Sequence, residues 1–310
     1  ITYLRLPHPS GIAFDRTRDM LYVASTRNPN RIVALGRARG LLERGDVTRG
    51  VRAEGQLVPL RSWYLPGCSY LHDLAMVGDT LHANATGQNA VVAVDDKGAR
   101  IVWWPTSIER DRAPRTDRNY LQLNSIAAGP DLASSFFSAS GERPGRYRPA
   151  HPQYPVDRRG VIFSGATREP VVRGLTRPHS ARLHAGKLWV DDSGYGGFGF
   201  VSAAQFESVV TLPGWTRGAA FAGDLAFVGT SRVIPRFRHY APGLDTERSR
   251  CAIHAIDLAS GKIAGSLEFP AGNQIFAIEP VPADWTTGLP FRAGRRDHAA
   301  RTLFYAFATR

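Results

Sequence analysis

Two histidines and an arginine, His72, His179 and Arg217, stand at the start of three β-rich runs of this sequence, and Asn124 starts a fourth. They are far apart in the chain, so no local motif joins them. What they share is position. His72-Asp-Leu-Ala-Met-Val, Asn124-Ser-Ile-Ala-Ala, His179-Ser-Ala-Arg-Leu and Arg217-Gly-Ala-Ala-Phe each open a repeating unit, as do Ser10-Gly-Ile-Ala-Phe and Ile275-Phe-Ala-Ile. If each run is the innermost strand of its unit, the four polar residues converge on a common axis. Two imidazoles can divide acid and base roles near neutral pH. Arg217 can hold a carboxylate or phosphate through a bidentate pair. Asn124 can donate to a developing oxyanion. The ends of the second strands add Asn84, Asn89, Asp192, Ser193, Ser231 and Arg232 as substrate contacts. Asp73 follows His72, and strand alternation turns it to the other face, bonded within its own unit. The bland explanation of the same residues is the polar wall of a wet channel.

The same ring suggests a metal as the alternative, with His72, His179, Asn124 and Asp192 around a divalent ion. Neither H-x-x-x-H nor H-E-x-x-H spacing is present, and no cofactor is expected. Gly194-Tyr-Gly-Gly-Phe-Gly199 matches a dinucleotide-binding pattern, but strand-like Phe-Gly-Phe-Val follows it, so it reads as a hairpin turn. No G-x-S-x-G exists, and Ser180 beside His179 does not indicate a hydrolase triad.

The elements that must position these residues are short strands parted by Gly, Asp, Asn and Pro turns, with little helical periodicity. Met20-Leu-Tyr-Val-Ala-Ser, Thr80-Leu-His-Ala-Asn-Ala, Lys187-Leu-Trp-Val and Leu225-Ala-Phe-Val-Gly follow their openings as second strands. Openings recur every roughly 40 to 60 residues, which is propeller spacing with loop insertions. Six openings predict an all-β, six-bladed β-propeller over 1–310, a single domain. The last unit is short of strands, counting Ile275 onward and Thr302 to Ala308. Residues 1–7 resemble an outer strand and are expected to pair into it, closing the ring and covering an edge. The Pro-rich stretches 141–156 and 234–250 are too long for hairpins and read as loops over one face.

Composition narrows the partners. The chain has 310 residues, 39 Lys and Arg against 27 Asp and Glu, and a net charge of +12. Lysine occurs only at Lys97, Lys187 and Lys262, so the excess is arginine. That skew fits a GC-rich bacterial genome better than a functional basic surface, although Arg158-Arg159 and Arg295-Arg296 are small clusters. The tryptophans read as blade core, and nucleic acid is not an expected partner. No run of about 18 apolar residues is present, so no membrane helix is expected. The only cysteines, Cys68 and Cys251, make no disulfide framework. They predict free thiols in a reducing, cytoplasmic setting, with a single bridge as the alternative.

Gly174-Leu-Thr-Arg-Pro-His-Ser, Leu188-Trp-Val-Asp-Asp-Ser-Gly and Leu212-Pro-Gly-Trp-Thr-Arg-Gly resemble the GLxxPHS, LWxxxSG and LPGxTRG pattern of an uncharacterised bacterial family of conserved hypothetical proteins. The resemblance runs from the His72 strand to Phe276. The family's His-Leu-Asn-Gly segment is Gln122-Leu-Asn124-Ser125 here, which removes one histidine. More distantly, the blade pattern is similar to six-bladed propellers of the gluconolactonase and strictosidine-synthase type. That resemblance implies a fold and not an activity.

The reading that follows is an enzyme using histidine acid–base chemistry on a small anionic substrate at the channel mouth. No activated nucleophile is visible, so a lyase, isomerase or cyclase is expected before a hydrolase. The alternative is a non-catalytic propeller binding a ligand or a protein.

Overall fold

The computed structural model describes residues 6–27, 30–38, 41–43, 56–270, 272–282, 285 and 305–307. Among them five four-stranded antiparallel sheets form, each a meander in chain order. Blade 1 comprises Pro9–Asp15, Met20–Ser25, Asn30–Ala38 and Gln56–Leu65. Blade 2 comprises Leu71–Val77, Thr80–Ala85, Ala90–Asp95 and Gly98–Trp103. Blade 3 comprises Leu123–Ala127, Phe136–Ala139, Gly160–Ser164 and Pro170–Leu175. Blade 4 comprises Pro178–His184, Lys187–Asp192, Gly197–Ser202 and Gln205–Thr211. Blade 5 comprises Trp215–Ala222, Leu225–Ser231, Ala252–Asp257 and Ile263–Glu268.

The first strand of each blade lies against the first strand of the next. The core is the set of apolar layers between blades. Ile32, Leu71 and Val92 join blades 1 and 2, Trp103, Ile126 and Phe163 join blades 2 and 3, and Trp189, Phe198 and Val228 join blades 4 and 5. Burying both faces in this way removes the exposure that a lone four-stranded sheet would suffer.

The expected sixth blade is not there: the described residues form five. Residues 272–282 run beside blade 5 and blade 1 without a strand ladder. Ile275 hydrogen-bonds through its N–H and C=O to the Ser231 hydroxyl (2.9 and 3.1 Å). Trp285 then packs edge-on against Phe14 of blade 1 at 5.0 Å and donates from its indole nitrogen to Asp19 (2.8 Å). The physical reason is in the segment itself. Pro280 and Pro282 have no N–H to offer a ladder, so the run is held by isolated hydrogen bonds and by side-chain packing. Tyr305–Phe307, read as part of the last unit, pairs with Leu41–Glu43 instead. Residues 1–5 lie outside the described residues. Leu6 packs in the cluster around Trp285.

The inner strands share one irregularity. Register shifts fall between Pro9 and Ile12, Leu71 and Leu74, Leu123 and Ser125, His179 and Arg182, and Thr216 and Ala219. A bulge bends its strand and re-aims side chains. Ser10, His72, Asn124, His179 and Arg217 all sit at this recurring bulge. In blade 1 the bulge carries Gly11, where a Cβ would meet the backbone of Asp73 and Leu74 at 2.4–2.5 Å. Glycine there lets blade 1 press directly onto the strand that holds His72.

Loops 141–156 and 234–250 meet over the ring. Val156 and Tyr154 pack with Val233, Phe237, Tyr240 and Ala241 on Trp215.

Candidate functional site

One cavity, of about 10 Å³, is lined by His72, Asp73, Asn124, Ser125, His179, Ser180, Arg217 and Phe276. The four residues expected on the axis are therefore brought together, from blades 2, 3, 4 and 5. The bulge adds what alternation excludes, because both members of His72-Asp73, Asn124-Ser125 and His179-Ser180 reach the same cavity.

Several of these groups lack protein partners. The His72 Nδ1, His179 Nε2 and Asn124 Oδ1 atoms are buried without a hydrogen bond. The His179 Nδ1 lies 2.8 Å from the Arg177 carbonyl and 3.1 Å from the Ser193 hydroxyl. A carbonyl only accepts, so Nδ1 carries the proton and Nε2 is left as a lone-pair acceptor. Arg217 is 5% exposed, and no hydrogen bond or ion pair engages its guanidinium among the described residues. It lies over the Phe276 ring at 3.8 Å and the Trp215 ring at 5.4 Å.

The charges set the protonation states. Burial, with the nearby Arg217 and Arg177 cations, pushes the His72 imidazole down to about 3. Burial and Arg217, with His72 adding to them, hold His179 well below its ordinary range. Both imidazoles are neutral at pH 7. Burial and repulsion from Arg177 lower Arg217 to about 9, so it stays charged at neutral pH.

Above about pH 6.5 both imidazoles are neutral folded or unfolded, and they cost nothing. As pH falls toward 3 the unfolded chain takes up protons that the folded site refuses, so stability is lost. The expected slope is about 1.4 kcal/mol per pH unit for each imidazole. Glu279, raised to about 7, and Asp192, raised to about 6, act in the opposite direction. Each binds its proton more tightly when folded, and its contribution declines as pH rises from the ordinary carboxyl range through those values. The difference between the parent and His72→Leu isolates the histidine. Denaturant melts at pH 4.5 and 6.5 should show the pH dependence reduced by about that slope in the variant; equal pH dependence in both proteins would contradict the protonation state assigned here.

The remaining expected contacts lie outside the lining of this cavity. Asn89, in the left-handed region (φ 53°), binds the connector to blade 3 by donating to the Arg115 and Arg118 carbonyls and accepting from the Tyr120 and Leu121 N–H groups. Asp192 accepts from the Thr176 N–H at 2.6 Å. Ser193 donates to the Thr216 carbonyl at 2.6 Å. Ser231 is held by Ile275, and Arg232 is exposed. Asn84 is fully buried, with neither amide atom partnered, yet it does not line the cavity. Asn89, Asp192 and Ser193 are turned away from the cavity because their polar groups bind a neighbouring blade or a connector between blades.

Two roles change as well. The Asn124 amide donates both hydrogens, to the Ser140 hydroxyl (3.0 Å) and the Pro178 carbonyl (2.8 Å). It can accept in the cavity and cannot donate to an oxyanion. Asp73 bonds across blades rather than only within its own. It accepts from the Ile126 N–H of blade 3 (2.9 Å) and pairs with Arg182 of blade 4 (2.8 Å). Among the described residues no group of three or more His, Cys, Asp or Glu is placed to hold a metal ion. With the Asp192 carboxylate turned to Thr176 and a guanidinium beside both imidazoles, the residues present do not fit a divalent cation.

Sequence reasoning passed over Ser180, Ser125, Phe276 and Arg177. Ser180 is held at φ 52°, a strained conformation for a residue with a Cβ, and its hydroxyl accepts from the Gly218 N–H at 2.6 Å. Gly218, itself at φ 84°, allows that approach. Arg177, immediately before the Pro-His-Ser run, is 1% exposed, hydrogen-bonded to Gln122 (2.7 Å) and stacked 3.7 Å from the Tyr240 ring centre. Its adjacency to His179 was the available signal.

A family model described as Domain of unknown function (DUF4915) matches residues 1–286. The chain belongs to this family. No curated protein matches the DUF4915 chain. Its fold is similar to a chain of the nidogen/laminin complex, at 11% identity and a TM-score of 0.57, covering 89% of this chain and 86% of that one. It is also similar to the calcium-binding protein regucalcin from Agrobacterium tumefaciens, at 12% identity and a TM-score of 0.56, covering 88% and 78%. A gluconolactonase from Xanthomonas campestris matches at 12% identity and a TM-score of 0.54, covering 86% and 78%. These likenesses establish the propeller fold of this DUF4915 chain. No helix among its described residues is long and apolar enough to cross a membrane.

Proposed function

We propose that this DUF4915 protein is an enzyme acting on a small anionic molecule at the bulged end of its inner strands. The observation that carries the proposal is Arg217, buried and unpaired beside two imidazoles with unpartnered nitrogens. A buried cation without a counter-ion is costly, and an anionic ligand is the partner that relieves it. Arg217 anchors the carboxylate or phosphate. The His179 Nε2 lone pair is the base, His72 supplies the second nitrogen for proton movement, and Asn124 accepts from a substrate hydroxyl or amine. An anion on Arg217 offsets the field that depresses both imidazoles, so binding raises their proton affinity as the reaction needs them to take up protons. This supports proton abstraction and return, as in a lyase, isomerase or cyclase. Ligand entry requires the Tyr154–Tyr240–Trp215 cap to part. Regucalcin and gluconolactonase show that the fold can carry a ligand site or an enzyme, and they lend no residues here. The unbridged cysteines support a reducing, cytoplasmic location.

The test uses Trp215, 5.5 Å from His179, as a fluorescent reporter. A panel of small carboxylates and phosphate monoesters is titrated, and those that bind are incubated in D₂O with C–H exchange followed by NMR. Exchange at one carbon is expected, abolished in His179→Ala and slowed in His72→Ala at unchanged melting temperature. Binding without exchange would leave a non-catalytic ligand site, and full exchange in both variants would remove the histidine roles.

A further inference from the structure

The segment joining Phe136–Ala139 to Gly160–Ser164 leaves blade 3 at the same end as the His–Arg cavity. It helps to enclose a second, much larger cavity of about 820 Å³, within the range of small-molecule sites. Five guanidinium groups line it, from Arg143, Arg146, Arg158, Arg159 and Arg173, with one carboxylate, Glu142. That carboxylate is already engaged by Arg173 (2.9 Å) and Arg143 (3.1 Å). Arg146, Arg158 and Arg159 have no ion-pair partner among the described residues. The cluster that composition alone assigns to genome bias is thus gathered onto one concave surface.

The frame around it is stiff. Pro144 and Pro155 line the wall, and the Tyr154 hydroxyl donates to the Ser140 carbonyl at 3.0 Å. Tyr147 stacks on His151 at 4.5 Å and 15°. Guanidinium forks bind two oxygens of a phosphate or a carboxylate at once, and a phosphoryl group brings more negative charge per group than a carboxylate. One phosphate monoester carries about −2 at neutral pH, so two linked phosphoryl groups are needed to match three unpaired cations.

We propose that this cleft binds a small molecule carrying two or more linked phosphoryl groups, held by Arg146, Arg158 and Arg159. The site is separate from the one proposed above, since Tyr154 stands between the cleft and Arg177. Free pyrophosphate and a nucleoside diphosphate share this chemistry, and the experiment distinguishes them.

Inorganic pyrophosphate and ADP are titrated by calorimetry at 0.15 M salt into the parent protein, into Arg158→Ala/Arg159→Ala and into Arg217→Met. The Arg158 and Arg159 side chains are exposed and the Arg158 bond to Thr176 uses its backbone N–H, so thermal melts of the double variant should match the parent. Saturable binding is expected, weakened at least tenfold in the double variant and unchanged in Arg217→Met. Tighter binding of ADP than of pyrophosphate would identify a nucleotide; equal binding would identify the diphosphate group alone. No saturable binding of either probe, or equal binding in the double variant, overturns the proposal. Loss of binding only in Arg217→Met would assign the anion to the His–Arg cavity and would also overturn it.

Discussion

Replacing Asp73 by alanine is expected to cost about 3–5 kcal/mol of folding stability, the range for removing one partner of a buried ion pair. Asp73 is 2% exposed and joins three blades. Its carboxylate accepts from its own strand at the Leu74 N–H (3.0 Å), from blade 3 at Ile126 (2.9 Å), and from both terminal nitrogens of Arg182 in blade 4 (2.8 and 3.2 Å). Arg182 also donates to the Ile126 and Ala181 carbonyls (3.0 and 2.9 Å). Alanine would remove the only ion pair of that guanidinium among the described residues, leaving Glu279, whose carboxyl is pushed up to about 7 by burial, and Asp191 as its nearby carboxyl groups. Arg182→Met alone should cost less, because Asp73 keeps two backbone donors. Combining the two substitutions should recover part of the loss, since no unpaired charge then remains. Guanidinium unfolding of the four proteins measures the cycle. A loss below ~0.5 kcal/mol for Asp73→Ala, the scale of an ordinary surface change, would mean the contact between blades is not what orders the His72 strand.

This brace also shows where the sequence was legible and where it was not. The inner-strand openings could be read because each repeats the same apolar pattern, and His72, Asn124, His179 and Arg217 do lie at the starts of successive inner strands. The bulge could not be read. It adds a residue to one strand without changing residue type, and it is what brings Asp73, Ser125 and Ser180 to the cavity in defiance of period-two alternation. The blade count failed for a related reason. Ile275-Phe-Ala-Ile has the apolar character of an inner strand, but character does not supply donors, and the prolines that follow deny it a ladder. The bonds made by the second-strand ends could not be read either, because Asn89, Asp192 and Ser193 look the same in sequence whether they face a ligand or bind the next blade. Only the partners of their side-chain atoms distinguish the two.

Arg217→Met should separate stability from function most sharply. The side chain is buried against Phe276 and Trp215, and Asp73 and Asp191 attract it without reaching it. Asp73 is committed to Arg182. Burial raises the Asp191 carboxyl above its ordinary value, and no hydrogen bond or ion pair joins it to Arg217 among the described residues. The folded protein therefore carries an unpaired cation that a methionine of similar length would replace with apolar contact. Replacing even a paired set of buried charges by apolar residues is neutral or stabilising by about 1–4 kcal/mol, and a gain within that range is expected for the unpaired cation in Arg217→Met. The same change removes the anchor. A hydrogen bond to a charged group contributes about 1.5–3 kcal/mol, so affinity for the anions that quench Trp215 fluorescence should fall about 100-fold, at roughly 1.4 kcal/mol per factor of ten. Arg217→Lys keeps the charge but loses the planar fork and the ring stacking, and should lie between the two in affinity. His179 titration by NMR gives an independent reading: removing the nearest cation should raise its proton affinity toward the ordinary range. A variant that is less stable than the parent, binds anions equally well and leaves His179 unchanged would show that Arg217 is a packing residue, and the site would lose the charge on which its chemistry rests.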